Sequence, residues 1–207
     1  MNEVIKKIKE ELAKPLPGKE IQYSMAPDVR GIFNFELAYQ KAGVLFLLYQ
    51  QNEKIVTVFI KRTEYKGAHS GQISLPGGKF EPGDKDILFT ALRETQEEIG
   101  IDKTNIDVIG KLTPLDIPVS GFKVFPFVGF TGQVPEFEPD PTEVEYIIYV
   151  SISDLIDPLI IKKKMMNING LDMLVPYFDL SGNHIWGATA MMLAEFVEIL
   201  KRAIKKR

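Results

Sequence analysis

The sequence contains no cysteine, which excludes disulfides, thiolate nucleophiles and cysteine-ligated metals. With only two histidines available, a catalytic metal would have to be bound by oxygen atoms or by one of those imidazoles. The 207 residues are 45% hydrophobic and 26% charged, a composition that suits one compact soluble domain, or one domain with appendages.

Positive charge and long apolar runs are also scarce. A formal net charge of -3 and a pI near 5.6 argue against a nucleic-acid-binding or membrane-surface protein. The opening stretch MNEVIKKIKEELAK lacks the apolar core of a secretory signal, and no apolar run approaches the roughly 18 residues of a membrane span. We therefore expect a soluble cytoplasmic protein that binds neither nucleic acid nor membrane.

The distribution of apolar residues predicts an α/β protein. Val4, Ile5, Ile8 and Leu12 recur at helical spacing and predict a short opening helix, while 186–204 predicts a closing helix. Apolar runs predict strands over 43–50, 54–62, 104–118, 124–134, 146–152, 159–166 and 171–178. The last two flank NING, which favours a hairpin. These elements predict one domain of mixed strands flanked by helices.

Three glutamates gather on one side of a further predicted helix. At about 100° per residue, Glu94, Glu97 and Glu98 span roughly 100° of its surface. Another face of the helix is suited to packing and consists of Leu88, Ala91, Leu92, Thr95 and Ile99. Glu94 and Glu98 form an i, i+4 like-charge pair that costs a few tenths of a kcal/mol, and the macrodipole disfavours anions near the helix end. Local helix physics therefore opposes this arrangement.

A cation would offset the repulsion among these carboxylates. Arg93 lies four residues before Glu97 and offsets part of it, but one arginine does not neutralise three glutamates. A compact group of oxygen ligands suits Mg²⁺ or Mn²⁺, and Mg²⁺ commonly binds through a few carboxylates plus the phosphates of its substrate. The helix therefore points to phosphate chemistry, with a solvated acidic face as the alternative.

The preceding loop favours the metal site over the solvated face. Residues 75–84, LPGGKFEPGD, hold three glycines and two prolines, so the backbone can take positive φ angles and approach a ligand closely. Gly100 provides a stop for the helix. Together, the glycine turn, the Arg-Glu and Glu-Glu pairs and this stop are more specific than the carboxylates alone.

These residues resemble the Nudix box, whose usual pattern is Gly, five residues, Glu, seven residues, Arg-Glu, an aliphatic residue, any residue, Glu-Glu, any residue, Gly and an aliphatic residue. Seven positions match: Gly78, Arg93, Glu94, Glu97, Glu98, Gly100 and Ile101. The box departs from the pattern at two positions. Asp84 stands where Glu is usual, separated from Arg93 by eight residues instead of seven, and Thr95 replaces the aliphatic residue.

The lengthened box with Asp resembles the coenzyme A pyrophosphatase branch of the family. Its upstream motif has Arg, Ser or Ala, then Arg and Gly before Phe-Pro-Gly-Gly, and this chain matches it at Arg62, Gly71, Pro76, Gly77 and Gly78. Thr63 replaces Ser or Ala, Leu75 replaces Phe, and Gly67 occupies the second arginine's place beside Lys66. The segment HIWGATAMML resembles the closing helix of this branch.

The resemblance implies that residues 1–207 form a single Nudix domain, with a short N-terminal helix and a C-terminal helix. Its fold would be a mixed β-sheet sandwiched between α-helices, and its activity Mg²⁺- or Mn²⁺-dependent hydrolysis of a nucleoside diphosphate linked to another group. By the same resemblance, Glu94 and Glu98 are metal ligands, Glu97 is a third ligand or a base, and Arg93 orients the glutamates. The Gly78 carbonyl is a candidate to complete the coordination.

Residues outside the helix complete the candidate site. The substrate-binding candidates are Arg62, Lys66, Gly77 and Gly78. Arg62 suits bidentate phosphate binding better than Lys66 does. Glu143 and His69 are candidates for the base, because Nudix enzymes often recruit a carboxylate from outside the box and imidazole titrates near neutral pH. Solvent exposure or ordinary loop hydrogen bonding is the alternative account of all four side chains.

The leading hypothesis is a diphosphatase that cleaves coenzyme A or acyl-coenzyme A into phosphopantetheine and 3′,5′-adenosine bisphosphate. Gly67 keeps open a nucleotide sugar, a dinucleotide or a nucleoside triphosphate as the substrate. A Nudix-like module that senses a nucleotide without cleaving it is a third hypothesis, although a sensor has no need of all three box glutamates. The apolar end helices and the family habit also suggest a homodimer.

Overall fold

The computed structural model describes residues 2–27, 39–64, 71–168 and 170–204. Within these ranges the helices are α1 (Glu3–Leu12), α2 (Lys19–Tyr23), α3 (Ile87–Ile99), α4 (Ile152–Leu155) and α5 (Gly187–Ile204). The strands are β1 (Gln40–Gln51), β2 (Lys54–Arg62), β3 (Ile73–Ser74), β4 (Gly77–Lys79), β5 (Asp107–Lys111), β6 (Leu115–Ile117), β7 (Phe122–Thr131), β8 (Val144–Ser151), β9 (Ile161–Ile168), β10 (Leu171–Leu180) and β11 (Asn183–Trp186). The predicted strands are thus confirmed with shifted ends, except that the one predicted over 104–118 is divided into β5 and β6, and the short β3, β4 and β11 were not predicted.

A mixed eight-stranded sheet forms the centre of the fold. Its main order is β3-β2-β1-β7-β5, with β4 paired to β1, β6 to β7 and β8 to β2. β1 and β7 run parallel, whereas β1 runs antiparallel to both β2 and β4. A smaller antiparallel sheet has the order β11-β10-β9, and the predicted hairpin is confirmed as its β9–β10 pair.

Side-chain alternation along β1 divides the core between the two faces of the sheet. Phe46 and Leu48 belong to the cluster that contains α1 and α5, and the ring of Phe46 lies 4.5 Å from that of Phe196. Leu45 and Leu47 belong to the other cluster, which contains apolar residues of α3. Because successive strand residues face opposite sides, one strand supports both layers. The prediction of a mixed sheet between helices is confirmed.

The predicted opening and closing helices are confirmed as α1 and α5. α1 begins after Asn2, whose side chain accepts a hydrogen bond of 2.8 Å from the Val4 amide, and it buries Ile5 and Ile8. α5 is 18 residues long and carries Lys201 and Arg202 in its last turn, where they complement the macrodipole. In the part of the chain that the structure describes, no helix is both long and apolar enough to cross a membrane.

Hydrogen bonds fix both ends of α3, the helix that carries the glutamates. The side chain of Asp86 accepts from the Phe89 amide at 2.8 Å, and Gly100 ends the helix with φ 76°, as predicted. The loop between β7 and β8 then caps the last turn. Its amides at positions 138 and 140 donate to the carbonyls of Ile99 and Glu98, both at 3.1 Å. The position of α3 is therefore fixed relative to the sheet.

Candidate active site

The glycine turn before α3 brings backbone against the glutamates. β4 pairs with β1 so closely that a Cβ on Gly77, where φ is 144°, would collide with the backbone of Gly43 and Val44. A Cβ on Gly78 would collide with the carboxylate of Glu94. Two of the predicted metal ligands, the Gly78 backbone and Glu94, therefore lie directly against each other.

Glu98 is the most deeply buried acid of the site, with 1% of its surface exposed. One carboxylate oxygen accepts from Arg62 Nη1 at 2.6 Å, and the other accepts from the Gly77 amide at 2.7 Å. Burial raises the pKa of Glu98 to about 7, because it outweighs the opposing effects of Arg62 and Gly77. This carboxyl group is therefore only partly ionised near neutral pH.

The three glutamates differ widely in exposure, and Glu98 does not lie on a solvent-facing surface. The side chain of Glu97 is 54% exposed, that of Glu94 is 15% exposed, and Glu98 is buried. Glu98 follows Ala91 by seven residues, which places it only about 20° from that core residue on a helix with 3.6 residues per turn. This spacing was the sequence signal that could have predicted its burial.

Arg93 orients two of the glutamates while a buried aspartate holds it in place. Its Nε and Nη2 donate to the two oxygens of Asp84 at 2.8 and 3.0 Å, and its Nη1 lies 2.7 Å from Glu97 and 2.9 Å from Glu94. Asp84 also accepts from Thr90 Oγ1 at 2.8 Å. Hydrogen bonds from Arg93 hold the pKa of Asp84 well below its usual range. The unusual Asp of the box thus anchors the arginine.

Arg62 connects two acids that are far apart in the sequence. Besides Glu98, it donates through Nη2 to Glu143 at 3.3 Å, and the Thr63 amide donates to the Glu143 carbonyl at 3.0 Å. The β2–β8 register shifts between Lys61 and Arg62, as strands often do beside active sites. The structure therefore places Arg62, the predicted phosphate ligand, in contact with both Glu98 and the predicted base Glu143.

Two predicted residues, Lys66 and His69, lie outside the described residues. Sequence reasoning missed the anchoring role of Asp84 and the pairing of Arg62 with Glu98. For Asp84, the sequence did contain a signal, because this position carries an acid, as it usually does in the box. For Arg62, an unbalanced excess of acids on α3 could have suggested that a second arginine was needed.

Comparison with known proteins identifies the same segment of the chain: residues 39–168, which include the glutamates of α3, match the NUDIX domain model. The chain belongs to the Nudix family. It is 33% identical over 192 residues to Nudix hydrolase 22, chloroplastic, of Arabidopsis thaliana, covering 89% of this chain and 61% of that protein. Nudix hydrolase 15, mitochondrial, of the same plant is 34% identical over 161 residues, covering 74% of this chain and 56% of that protein.

A solved structure shares the Nudix fold at lower sequence identity. The MutT protein from Methanosarcina mazei Go1 has a TM-score of 0.50 and 19% identity, with 83% of this chain and 99% of that chain covered. The two plant proteins are considerably longer than the regions they share with this chain, which spans 61% and 56% of their lengths.

Nudix hydrolases generally use divalent metal ions, and the carboxylate and carbonyl oxygens of this site are the type of ligand that such an ion binds. Within the described ranges, no three His, Asp or Glu side chains are grouped so that they could hold a metal as they stand. Arg62 and the Gly77 amide instead occupy the oxygens of Glu98. Burial nevertheless raises the pKa of both Glu94 and Glu98. More cationic charge would restore their ionisation, and carboxylates are the ligands that hard divalent ions prefer.

Proposed function

We propose that the chain hydrolyses a diphosphate linkage in a small nucleotide-derived substrate, with Mg²⁺ or Mn²⁺ as the cofactor. The observation that carries the proposal is the buried Glu98 carboxyl, whose pKa is raised to about 7 although an arginine and a backbone amide contact it. Burying a carboxyl group whose ionised form is disfavoured costs free energy of folding, so folding alone does not account for it. Perturbed acids in a glycine-lined site are typical of catalytic centres.

Glu94, Glu97, Glu98 and the Gly78 carbonyl would hold the ion in this proposal. When bound, the ion would neutralise charge on the diphosphate and lower the pKa of an attacking water. Arg93 keeps Glu94 and Glu97 on one side of the helix through its two contacts of 2.9 and 2.7 Å. Holding acids in place before substrate arrives reduces the reorganisation that the reaction requires.

Arg62 and Glu143 act beside these ligands. Since Arg62 contacts Glu98 at 2.6 Å and Glu143 at 3.3 Å, it holds the two carboxylates together before substrate binds. Its guanidinium is suited to a phosphate oxygen as well as to a carboxylate. Glu143 is 46% exposed, so it can accept a proton from a water and return it to solvent. We propose Glu143 as the base, with His69 as the alternative.

Coenzyme A or acyl-coenzyme A is the proposed substrate, with phosphopantetheine and 3′,5′-adenosine bisphosphate as products. The support lies in the upstream motif and in the lengthened box, whose Asp84 makes a two-bond contact with Arg93. The names of the plant relatives specify no substrate. We further propose that residues 1–207 act as one domain, in a cytoplasmic protein that forms a homodimer.

A substrate panel tests the proposal. Purified protein with Mg²⁺ or Mn²⁺ is incubated with coenzyme A, dephospho-coenzyme A, ADP-ribose, diadenosine polyphosphates and nucleoside triphosphates, and products are resolved by mass. Metal-dependent release of phosphopantetheine is the expected result. Cleavage of a different substrate would retain the metal site and reject coenzyme A, whereas no cleavage across the panel would contradict the proposed activity.

A further inference from the structure

A cavity of about 210 Å³ lies on the side of the sheet away from α3. Lys61 lines it and pairs directly with Ile73 of β3, which belongs to the core cluster that contains α5, so Lys61 lies on that face of the sheet. Arg62 faces Glu98, while Lys61 shares its face with Phe59 of the core cluster that contains α5. The cavity is therefore separate from the carboxylates, although its residue Lys61 directly precedes Arg62, which contacts Glu98.

The side chains that line this cavity are suited to a nucleotide. Among the described residues, its lining includes Lys61, Tyr146, Asn183 and Trp186 and contains no acidic side chain. Lys61 supplies an ammonium group for an anion, with the Glu64 carboxylate close by at Gly71, and an indole ring offers a face on which a heteroaromatic base can stack. We use the name Trp186 cavity for this space.

Internal hydrogen bonds hold the lining in place without a ligand. Lys61 Nζ donates to the carbonyl of Gly71, one of the positions that match the upstream motif. The Tyr146 hydroxyl donates to Asn183 Oδ1 at 3.1 Å. Since these groups are already positioned, a ligand would bind them with little further ordering.

His184, which also lines the cavity, is held by Lys164. Lys164 Nζ lies 2.8 Å from His184 Nδ1 and 4.9 Å from the centre of the Tyr177 ring. An ammonium group can only donate, so Nδ1 accepts and the ring proton is placed on Nε2. His184 therefore adds an imidazole to the lining, and Lys61 is the only lysine among the described residues that line the cavity.

We propose that the Trp186 cavity is the subsite for the nucleotide portion of the substrate, with the base against Trp186 and a phosphate against Lys61. Pockets for whole drug-sized ligands begin at about 300 Å³, so a cavity of about 210 Å³ accommodates one part of a substrate. The inference rests on the proposed function. It places the nucleotide on the Lys61 face and the diphosphate on the Arg62 face of the same strand end.

The test uses the only tryptophan of the chain as its reporter. The full-length Glu98→Gln protein, without divalent metal, is titrated with 3′,5′-adenosine bisphosphate, AMP, adenosine and inorganic phosphate. Trp186 fluorescence and the single indole N–H cross-peak in an NMR spectrum are followed. We expect saturable changes with the two nucleotides, and weaker binding of adenosine and of phosphate, because each of these supplies only one of the two contacts.

A matched pair of lysine variants tests the phosphate contact. Lys61→Gln should weaken AMP binding roughly tenfold, the loss expected for a hydrogen bond to a charged group. Lys54→Gln, at the other end of β2, should leave it unchanged. Equal affinities for the two variants would overturn the assignment. An unperturbed indole cross-peak in the parent protein would overturn it as well, and that measurement does not depend on how any lysine variant folds.

The two proposals fail in distinguishable ways, because the titration requires no turnover. Metal-dependent cleavage on the substrate panel with no Trp186 response would overturn the subsite and retain the hydrolase. A saturable Trp186 response without cleavage of any substrate would overturn the hydrolase and support the nucleotide subsite.

Discussion

Two arginines hold carboxylates in the candidate site, and they do so with opposite electrostatic results. Arg93 donates twice to Asp84, and the pKa of that aspartate is well below its usual range. Arg62 donates to Glu98 at 2.6 Å, yet the pKa of that glutamate is raised to about 7. A short contact with an arginine is therefore not sufficient to keep a buried acid ionised.

The difference comes from how completely each carboxylate is hydrogen-bonded. Asp84 accepts two bonds from Arg93, one from Thr90 and one from the Glu81 amide, which together offset its burial. Glu98 accepts one bond from an arginine that is shared with Glu143 and one from the Gly77 amide, and it lies near Glu94. Asp84 accepts four hydrogen bonds and serves as a structural contact, whereas Glu98 accepts two from the described residues and can still bind a further cation.

The largest expected effect is the loss of turnover in Glu98→Gln. The substitution preserves shape and removes the charge that would bind a metal, a contribution of several kcal/mol. We expect kcat/KM to fall by at least about 10³-fold, measured with the preferred substrate of the panel. Glu97→Gln should also abolish turnover if this exposed acid is a ligand or base. Glu10→Gln, on α1, is the control. Turnover within a few-fold of the parent would remove Glu98 from the mechanism.

The second effect concerns stability and should appear in Asp84→Asn. The substitution removes the charge that accepts two bonds from Arg93, while Arg93 keeps Glu94 and Glu97 as partners, so the cost should be about 1.5–3 kcal/mol. The free energy of unfolding should fall by that order in urea denaturation of the metal-free protein.

Asp86→Asn is the matched control for this prediction. It changes the same residue type two positions later, but asparagine caps a helix about as well as aspartate, so stability should barely change. If the free energy of unfolding fell by the same amount in both variants, the stabilising role of the Asp84–Arg93 pair would be refuted.

Gly78→Ala should have an intermediate effect on activity, since its Cβ would displace the Glu94 carboxylate. Displacements near 1 Å can cost about 10²-fold in rate, so we expect a loss of about 10–100-fold in kcat. Gly83→Ala in the same loop is the control, because a Cβ there meets no atom within 4 Å. Equal activities of the two variants would contradict the close approach of Gly78 to Glu94.

Much of the fold could be predicted from the sequence because local patterns determine it. Continuous apolar runs marked β1 and β2, and Gly100 marked the end of α3. The long-range pairing of strands was not predictable in this way. β1 lies beside β7, more than 70 positions later, and the same β1 also pairs with the short β4. These contacts depend on packing between distant segments.

Motif spacing proposed the members of the candidate site, but it could not predict the contacts among them. Motif spacing identified Glu94, Glu98 and Arg93, because one helix carries all three. The contact between Arg62 and Glu98 depends on how β2 packs against α3, and no local pattern encodes it. Helical geometry alone could have shown that Glu98 follows the core residue Ala91, so in this case the information was present in the sequence.

The smallest effect, a pH dependence, tests the comparison most directly. A pKa raised to about 7 from its ordinary value near 4.5 means that folded, metal-free protein binds more protons through Glu98 than unfolded protein does in that window. The ionised carboxyl therefore reduces stability as pH rises towards 7. Asp84, whose pKa is lowered, stays ionised throughout and cannot produce this trend.

Metal binding should show the opposite dependence, because the ion requires the ionised carboxylate. Mn²⁺ affinity, measured by calorimetry, should increase about tenfold between pH 6 and pH 8, with proton release at the lower pH. Asp84→Asn should retain this increase if the protein folds, whereas Glu98→Gln should lose it. An equal affinity at both pH values would mean that Arg62 keeps Glu98 ionised, as Arg93 does for Asp84, and the contrast between the two arginines would no longer hold.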